Sequence, residues 1–281
     1  VSPSENVTSV AYQGEPGAYS QQALLAYFGT TCEALHVKHL EDVFDAIQSE
    51  RVERGIVPVE NSSAGSIYET YDLLFERELA IVGEHYLKVD HCLLTLPEAQ
   101  RSQLKAVYSH PQALGQCYRY LNTLGLERRA FYDTAGAAAW VAEQKNPAYA
   151  AVASALAAKH YGLRVMAKSV QTYTHNTTRF LVLSKDEVAS RGGAYKTSIV
   201  FETRDLPAAL YKCLGGFATN AINLCKLESR PSQTGMGRYR FYLDCEGHEN
   251  EPKVDQALRE LQFFTASYRV LGSYTMGKLA A

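Results

Sequence analysis

The stretch LAIVGEHYLKVDHCLLT, Leu79 to Thr95, restricts the fold more than any other part of the chain. Apolar and polar residues alternate along it with the two-residue period of an extended chain, where a helix would repeat every 3.6. Strands usually hold about 5–6 residues, so an extended run of this length is expected to leave one lobe and enter another. A second extended run, Val165 to Leu183, offers the way back. Two crossings between the same two lobes leave a cleft, and clefts at such junctions take small molecules.

Around these crossings, short β-branched runs alternate with helical patterns, which predicts α/β units and a mostly parallel sheet. Strands are expected at Thr8–Tyr12, Leu35–His39, Gly55–Val59, Lys105–Tyr108, Arg129–Tyr132 and Tyr149–Val152, and helices at Tyr19–Phe28, Leu40–Glu50, Pro111–Leu124 and Thr134–Gln144. The polar, Gly-containing run SKDEVASRGGAY marks a domain boundary. Beyond it the order becomes strand Lys196–Glu202, helix Pro207–Thr219, strands Asn223–Ser229 and Arg238–Asp244, helix Pro252–Phe264 and strand Ser267–Tyr274. That βαββαβ order is the ferredoxin-like arrangement. The expected division is a first domain, 1–186, with lobes 1–80 plus 166–186 and 81–165, and a second domain, 195–281.

Composition narrows the function classes. The 281 residues are 46% hydrophobic, and 28 basic against 30 acidic side chains give a net charge of -2. With no Lys/Arg run to track a phosphate backbone, nucleic-acid binding is not expected. No apolar stretch approaches the roughly 20 residues that span a bilayer, and VSPSENVTS lacks the charged-then-apolar pattern of a leader, so the expectation is a cytoplasmic protein without a membrane partner. Six scattered cysteines form no C-x-x-C pair and have no His at ligand spacing, which reads as reduced thiols and no metal site.

Four strand-to-helix turns carry the candidate chemistry. In GIVPVENSSAGSIYETYDLL, a buried strand runs into a Ser- and Gly-containing turn before a helix. Backbone N–H groups there, with Asn61, Ser62 and Ser63, suit an anion, while Ser63 or Ser66 equally suits a helix cap. AVYSHPQALGQC repeats the geometry, with Ser109 as cap, His110 beside it as a surface histidine or a site residue, and Pro111 at the first helical position. Gln112 and Gln116 share one face of that helix, toward the strand ends where ligands bind in such sheets. FYDTAGAAAW offers Asp133 or Thr134 as cap, with Gly136 and alanines permitting close approach. AYQGEPGAYSQQAL is a fourth turn, too poor in glycine for a dinucleotide fingerprint. Amides and hydroxyls at four turns, without a cofactor motif, describe a site for a small polyanion.

Taken together, VPVENSSAGSI, SHPQALGQC, NTTRF and INLCKLESRP resemble the prephenate dehydratases and the closely similar arogenate dehydratases, in the family's order and over nearly the whole chain. No chorismate-mutase bundle precedes these motifs in the sequence, which gives the monofunctional form as the expectation. The resemblance implies decarboxylating dehydration of prephenate to phenylpyruvate with no metal or organic cofactor. It also implies a two-lobed catalytic domain like that of periplasmic binding proteins, a C-terminal ACT domain binding phenylalanine as feedback effector, and a homodimer or homotetramer. Prephenate carries two carboxylates and a ring hydroxyl that leaves as CO2 is lost. Aromaticity drives the step, so the protein must hold the anions, exclude water and stabilise the departing oxygen.

By this resemblance the catalytic threonine is Thr178. An aliphatic hydroxyl does not titrate near neutrality, so the expected role is a positioned hydrogen-bond donor, with or without a proton relay. Asn61, Ser109 and Gln116 match other polar residues of the family's cleft, with Glu60 and Ser62 as adjacent candidates and Gln112 and Thr134 from the turns above. In an extended chain Asn176, Thr178 and Phe180 share one face and Arg179 the other. Either the chain is irregular here and Arg179 reaches a substrate carboxylate, which is the expectation, or Arg179 braces the site from behind.

The implied effector site uses Ala208, Ala209, Leu210, Asn223, Leu224, Glu228 and Ser229, with Ala208 and Ala221 where the family usually has glycine and Cys225 where it has threonine. The plain reading of Glu228 and Arg230 alone is a surface or interface ion pair, which the resemblance reverses in favour of effector binding. Arogenate, with an amine in place of the keto oxygen, remains the alternative substrate. A lobe pair with an ACT module would also suit a non-enzymatic amino-acid sensor, against which NTTRF argues.

Overall fold

The computed structural model describes residues 8–186, 193–232 and 239–278. The leader reading of the first residues, half of the expected 184–195 boundary and the strand start at Arg238 lie outside the described residues.

The chain begins β1 (Ser9–Gln13), α1 (Tyr19–Phe28), β2 (Glu33–Val37), α2 (Leu40–Gln48), β3 (Arg54–Asn61), β4 (Gly65–Ser66), α3 (Tyr68–Glu76) and β5 (Ala80–Lys88). It continues β6 (Cys92–Thr95), β7 (Ala106–Ser109), α4 (Pro111–Gln116), α5 (Tyr118–Leu124), β8 (Glu127–Ala130), α6 (Thr134–Gln144), β9 (Tyr149–Ala153), α7 (Ala155–Tyr161), β10 (Arg164–Ala167) and β11 (Thr177–Ser184). Two sheets result, one ordered β2-β1-β3-β11-β5 with β4 on β3, the other β10-β6-β9-β7-β8. In the first, β1 lies parallel to β2 and β3. In the second, β7 lies parallel to β8 and β9, while β6 and β10 run antiparallel. The expected parallel character therefore holds at the βαβ units and fails at the returning strands.

Both long extended runs do cross between lobes. The first splits into β5 and β6, which belong to different sheets, and the second into β10 and β11, which do the same. The crossing itself falls at Val89–His91, so β5 belongs to the first lobe and the expected lobe limit at 80/81 is about eight residues too early. The connections lie side by side, with Val89 N–H donating to the Asn176 carbonyl at 2.7 Å and Val170 N–H to that of His91 at 2.9 Å. Sheet pleating sorts the second lobe's core. Leu94, Tyr108, Ala151 and Ala153 pack on one face with α6 and α7, and Leu93, Val107, Ala150 and Val152 on the other with α4 and α5.

Packing divides the chain into a unit of residues 8–70 and 85–180, holding most of both lobes, and a unit of 71–84 and 181–278. The second contains β12 (Tyr195–Thr203), α8 (Ala209–Thr219), β13 (Leu224–Pro231), β14 (Tyr239–Glu246), α9 (Pro252–Phe264) and β15 (Thr265–Thr275). Its antiparallel sheet is ordered β13-β14-β12-β15, the ferredoxin-like arrangement. Ala208 and Ala221 both adopt left-handed backbone, at φ 58° and 55°. Arg230 pairs with Asp72 at 3.0 Å, and Glu228 lies 3.8 Å from Lys226.

Within this unit Lys196 Nζ donates to both oxygens of Glu84, at 2.8 and 2.9 Å, with the two side chains 3% and 0% exposed. Each ion forgoes its hydration for the other, so removing one strands the other. Lys196→Met is expected to cost about 3–5 kcal/mol in urea unfolding, and the paired change Lys196→Met with Glu84→Leu to recover most of that loss.

Candidate active site

A cavity of about 440 Å³ opens in the first unit where the two lobes face each other. Lobe one contributes strand ends and turns, including Gln13, Lys38, His39, Asn61 and Thr178, and lobe two contributes His110, Gln112, Gln116, Asp133 and Thr134. The residues at the bottom are held by one continuous chain of hydrogen bonds, whose direction the backbone dictates.

That chain starts at the turn after β3. Asn61 Oδ1 accepts from the backbone N–H groups of Ser63 and Ala64, both at 3.0 Å, the local closure typical of asparagine in turns. The amide nitrogen must then point inward, where Nδ2 donates to Thr178 Oγ1 at 2.9 Å and Asn176 Oδ1 at 2.8 Å. Asn176 Nδ2 donates onward to Gln116 Oε1 at 2.9 Å. Because Gln116 presents an oxygen, the His91 Nε2 facing it at 2.7 Å carries a proton. Burial holds the His91 ring below its ordinary value of 6.5, so it is neutral and its Nδ1 is an acceptor, facing the Tyr19 hydroxyl at 2.8 Å, which shares its one proton with the Asp90 carbonyl at 3.0 Å.

Thr178 gains most from this order. Its oxygen is occupied as an acceptor, so its own proton is directed elsewhere, and Thr178 lines the cavity at 8% exposure. Three amides, of Asn61, Asn176 and Gln116, stand between Thr178 and His91. Amides orient but do not pass protons readily, so the chain fixes Thr178 and is no route for protons from His91.

Several candidates fall outside the cavity. From Thr177 onward β11 is a regular strand, so Thr178 and Phe180 face the cavity while Arg179 points the other way. The expected irregularity that lets Arg179 reach a carboxylate is absent. Arg179 instead lines a separate space of about 240 Å³ with Glu60 and Ser62, its guanidinium 3.5 Å from Glu60. Ser62 closes the turn onto the crossing strand, its hydroxyl donating to the His175 carbonyl at 2.8 Å. Ser109 is fully buried and donates to the Val152 carbonyl at 2.6 Å, tying β7 to β9. The cap of α4 is His110, whose Nδ1 accepts from Gln112 N–H at 3.3 Å, and not Ser109. Neither Ser63 nor Ser66 caps directly behind β3, because the Asn61 turn and β4 intervene before α3 begins at Tyr68.

Asp133 caps α6 by accepting from Gly136 N–H, and its other oxygen accepts from Glu15 N–H of lobe one at 3.1 Å. Tyr132 O–H adds a bond to Glu15 at 3.2 Å, and Ser154 Oγ donates to the Gly17 carbonyl at 2.6 Å. Gly17 has φ +93°, and a Cβ there would stand 2.5 Å from Ala157 Cα. The turn after β1 is thus pinned against lobe two. Burial raises the Asp133 carboxyl above its ordinary range, partly offset by these backbone donors. Gly136, expected to admit close backbone or ligand approach, accommodates the Tyr132 ring.

Sequence reasoning missed Tyr19, Lys38 and His91. The His91 signal was present as a polar side chain inside the crossing segment, but its partners Tyr19 and Gln116 lie far away along the chain.

Fold and site together define a two-lobed α/β protein with a cavity between the lobes, into which an oriented hydroxyl faces. Residues 10–188 match the family model described as prephenate dehydratase. Arogenate dehydratase/prephenate dehydratase 1, chloroplastic, of Arabidopsis thaliana is 40% identical over 282 residues, covering 95% of this chain and 72% of that protein. Among solved structures, prephenate dehydratase of Arthrobacter aurescens in complex with L-Phe aligns with a TM-score of 0.88 at 28% identity, covering 95% of this chain and 90% of that one. GqqA, described as a quorum quenching acylase, aligns with a TM-score of 0.88 at 36% identity, over 95% and 97% of the two chains. The chain belongs to the prephenate dehydratase family and is a dehydratase.

The neutral His91 leaves a pH signature. The unfolded chain takes up this proton near 6.5 and the folded chain only at lower pH, so the associated stability is full above 6.5 and declines as pH falls through that value toward the folded one. Thermal midpoints measured from pH 7.5 down to 5 are expected to fall, and His91→Gln to flatten that part of the profile.

Proposed function

We propose that the protein catalyses decarboxylating dehydration of prephenate to phenylpyruvate in phenylalanine biosynthesis, with Thr178 as the donor to the leaving hydroxyl. The bond from the ring to its carboxylate breaks, its electron pair enters the ring, and the C–O bond to the hydroxyl opposite breaks. CO2, an aromatic ring and hydroxide result; the departing oxygen accepts a hydrogen bond from Thr178 as its charge develops and takes up a proton from solvent to become water. The observation that carries the reading is the Asn61–Thr178 bond, which leaves the threonine proton free to point into the cavity. A preorganised donor to developing oxyanion charge is worth roughly 3–4 kcal/mol in a site shielded from water. Gln112, Gln116 and Thr134 act as orienting groups around the ring, Asn176 positions Gln116, and Phe180 supplies an apolar wall. Glu60, Ser62, Ser109 and Arg179 act as braces behind the strip.

Arogenate is the second reading, favoured by the relatives that carry both names and by the acidic side chain of Asp133 on the cavity wall. Both Asp133 oxygens already accept backbone N–H groups, so an ammonium there would share an occupied carboxylate. This supports prephenate as the first choice.

In the same reading the ferredoxin-like unit is an ACT domain that binds L-phenylalanine and lowers activity, as a homodimer or homotetramer. Support comes from the spacing of the effector residues. Ala208–Leu210 start α8 and Asn223–Leu224 follow its end, and a helix of 11 residues separates them by about 16 Å. One amino acid is too short to touch both ends within one chain, so a second copy supplies one of the two halves. The left-handed Ala208 and Ala221 keep the backbone a glycine would adopt, at about 1–2 kcal/mol each.

Parallel kinetics on prephenate and arogenate, with and without phenylalanine, test these assignments. Turnover of prephenate at higher kcat/KM, reduced by phenylalanine together with a shift to larger oligomers, is expected. Preference for arogenate would reverse the substrate assignment, and turnover of neither would leave the sensor reading. Asn61→Asp probes the donor's direction, because a carboxylate must accept from Thr178 and so recaptures its proton. It is expected to lower kcat about a hundredfold with KM changed only a few-fold.

A further inference from the structure

We infer that Lys38 anchors a substrate carboxylate at the end of the cavity remote from Thr178, setting how tightly the dianion is held. The inference rests on the prephenate reading above. Among the described residues lining the cavity, Lys38 is the one lysine or arginine. The strand expected to include it ends at Val37, so Lys38 lies in the turn between β2 and α2, at the strand ends where such sheets bind ligands. The helix start does not need it, since Asp42 Oδ2 accepts from His39 N–H at 2.9 Å and closes the first turn.

Its distance from Thr178 suits the substrate. The sheet order β2-β1-β3-β11 places three strand spacings between the Lys38 turn and Thr178, at least about 14 Å at the backbone. Gln13 pairs with Val37, so β1 and β2 end level, while Tyr12 pairs with Ile56 and β3 runs on to Asn61 beside Thr178, so the cavity extends from the Lys38 turn past the ends of β1 and β2 to the end of β3. The leaving hydroxyl of the substrate and its two carboxylates sit at opposite ends of a six-membered ring, with the pyruvyl arm reaching further. A molecule whose hydroxyl meets Thr178 therefore points its anionic end along the strand ends toward Lys38, whose four-carbon stem reaches back into the cavity. The other charged wall residue, Asp133, is acidic and occupied by backbone donors. Lys38 is exposed, so its attraction is partly screened by solvent and depends on salt.

The test compares Lys38→Met and Lys38→Arg with the parent chain, using prephenate at low and high salt. Lys38→Met is expected to raise KM roughly tenfold while changing kcat less than KM, and to remove most of the salt dependence of KM; Lys38→Arg keeps both. Circular dichroism and thermal midpoints near those of the parent verify folding of this exposed position. A parental KM and salt dependence in Lys38→Met overturns the inference, and so does a fall in kcat with KM unchanged. A parent chain that does not turn over prephenate overturns the functional reading instead, whatever the variants do.

Discussion

Everything at the bottom of the cavity depends on two backbone N–H groups, of Ser63 and Ala64, gripping the carbonyl oxygen of Asn61. A side-chain amide is two-faced, and nothing in its shape decides which face turns inward. The turn decides it, and each later partner then has no choice. Asn61 presents N–H to Thr178 and Asn176, Asn176 presents N–H to Gln116, and Gln116 presents oxygen to His91. An oriented hydroxyl is thereby built from neutral groups, which suits a substrate that brings its own two charges and its own driving force.

The same chain joins the lobes. Asn61 and Thr178 belong to the first lobe and Gln116 to the second, with Asn176 and His91 on the two crossings. Lobe placement and donor orientation are thus one property. The pinning of the turn after β1 by Asp133 and Ser154 acts in the same sense, holding the walls near each other while the network holds the floor.

Much of this was legible in the sequence where a local rule governed it. Helices α1 and α6 lie at the expected limits, the crossings fall within the two extended runs, and the βαββαβ order appears as read. The alternation of Thr178 and Arg179 was legible too, yet the expectation of an irregular strand was misplaced. Strand geometry survives there because Ser62 and Asn61 bond the start of β11 on one side and Val89 bonds it on the other. The Ser109 hydroxyl looked like a cap and proved a cross-strand tie, a distinction set by β9 and invisible locally. Tyr19, His91 and Lys38 escaped for the same reason: what places them at the cavity is strand order, a non-local fact.

The account turns on the Thr178 proton, and Thr178→Val addresses it most directly because it keeps the shape and removes the hydroxyl, while Asn61 Nδ2 retains Asn176 Oδ1 as acceptor. The measurement is kcat and KM of the folded variant on the substrate the parent turns over better. A loss of about 10²–10³ in kcat with KM within a few-fold is the predicted result. A kcat near that of the parent would contradict the account, whatever else the cavity binds.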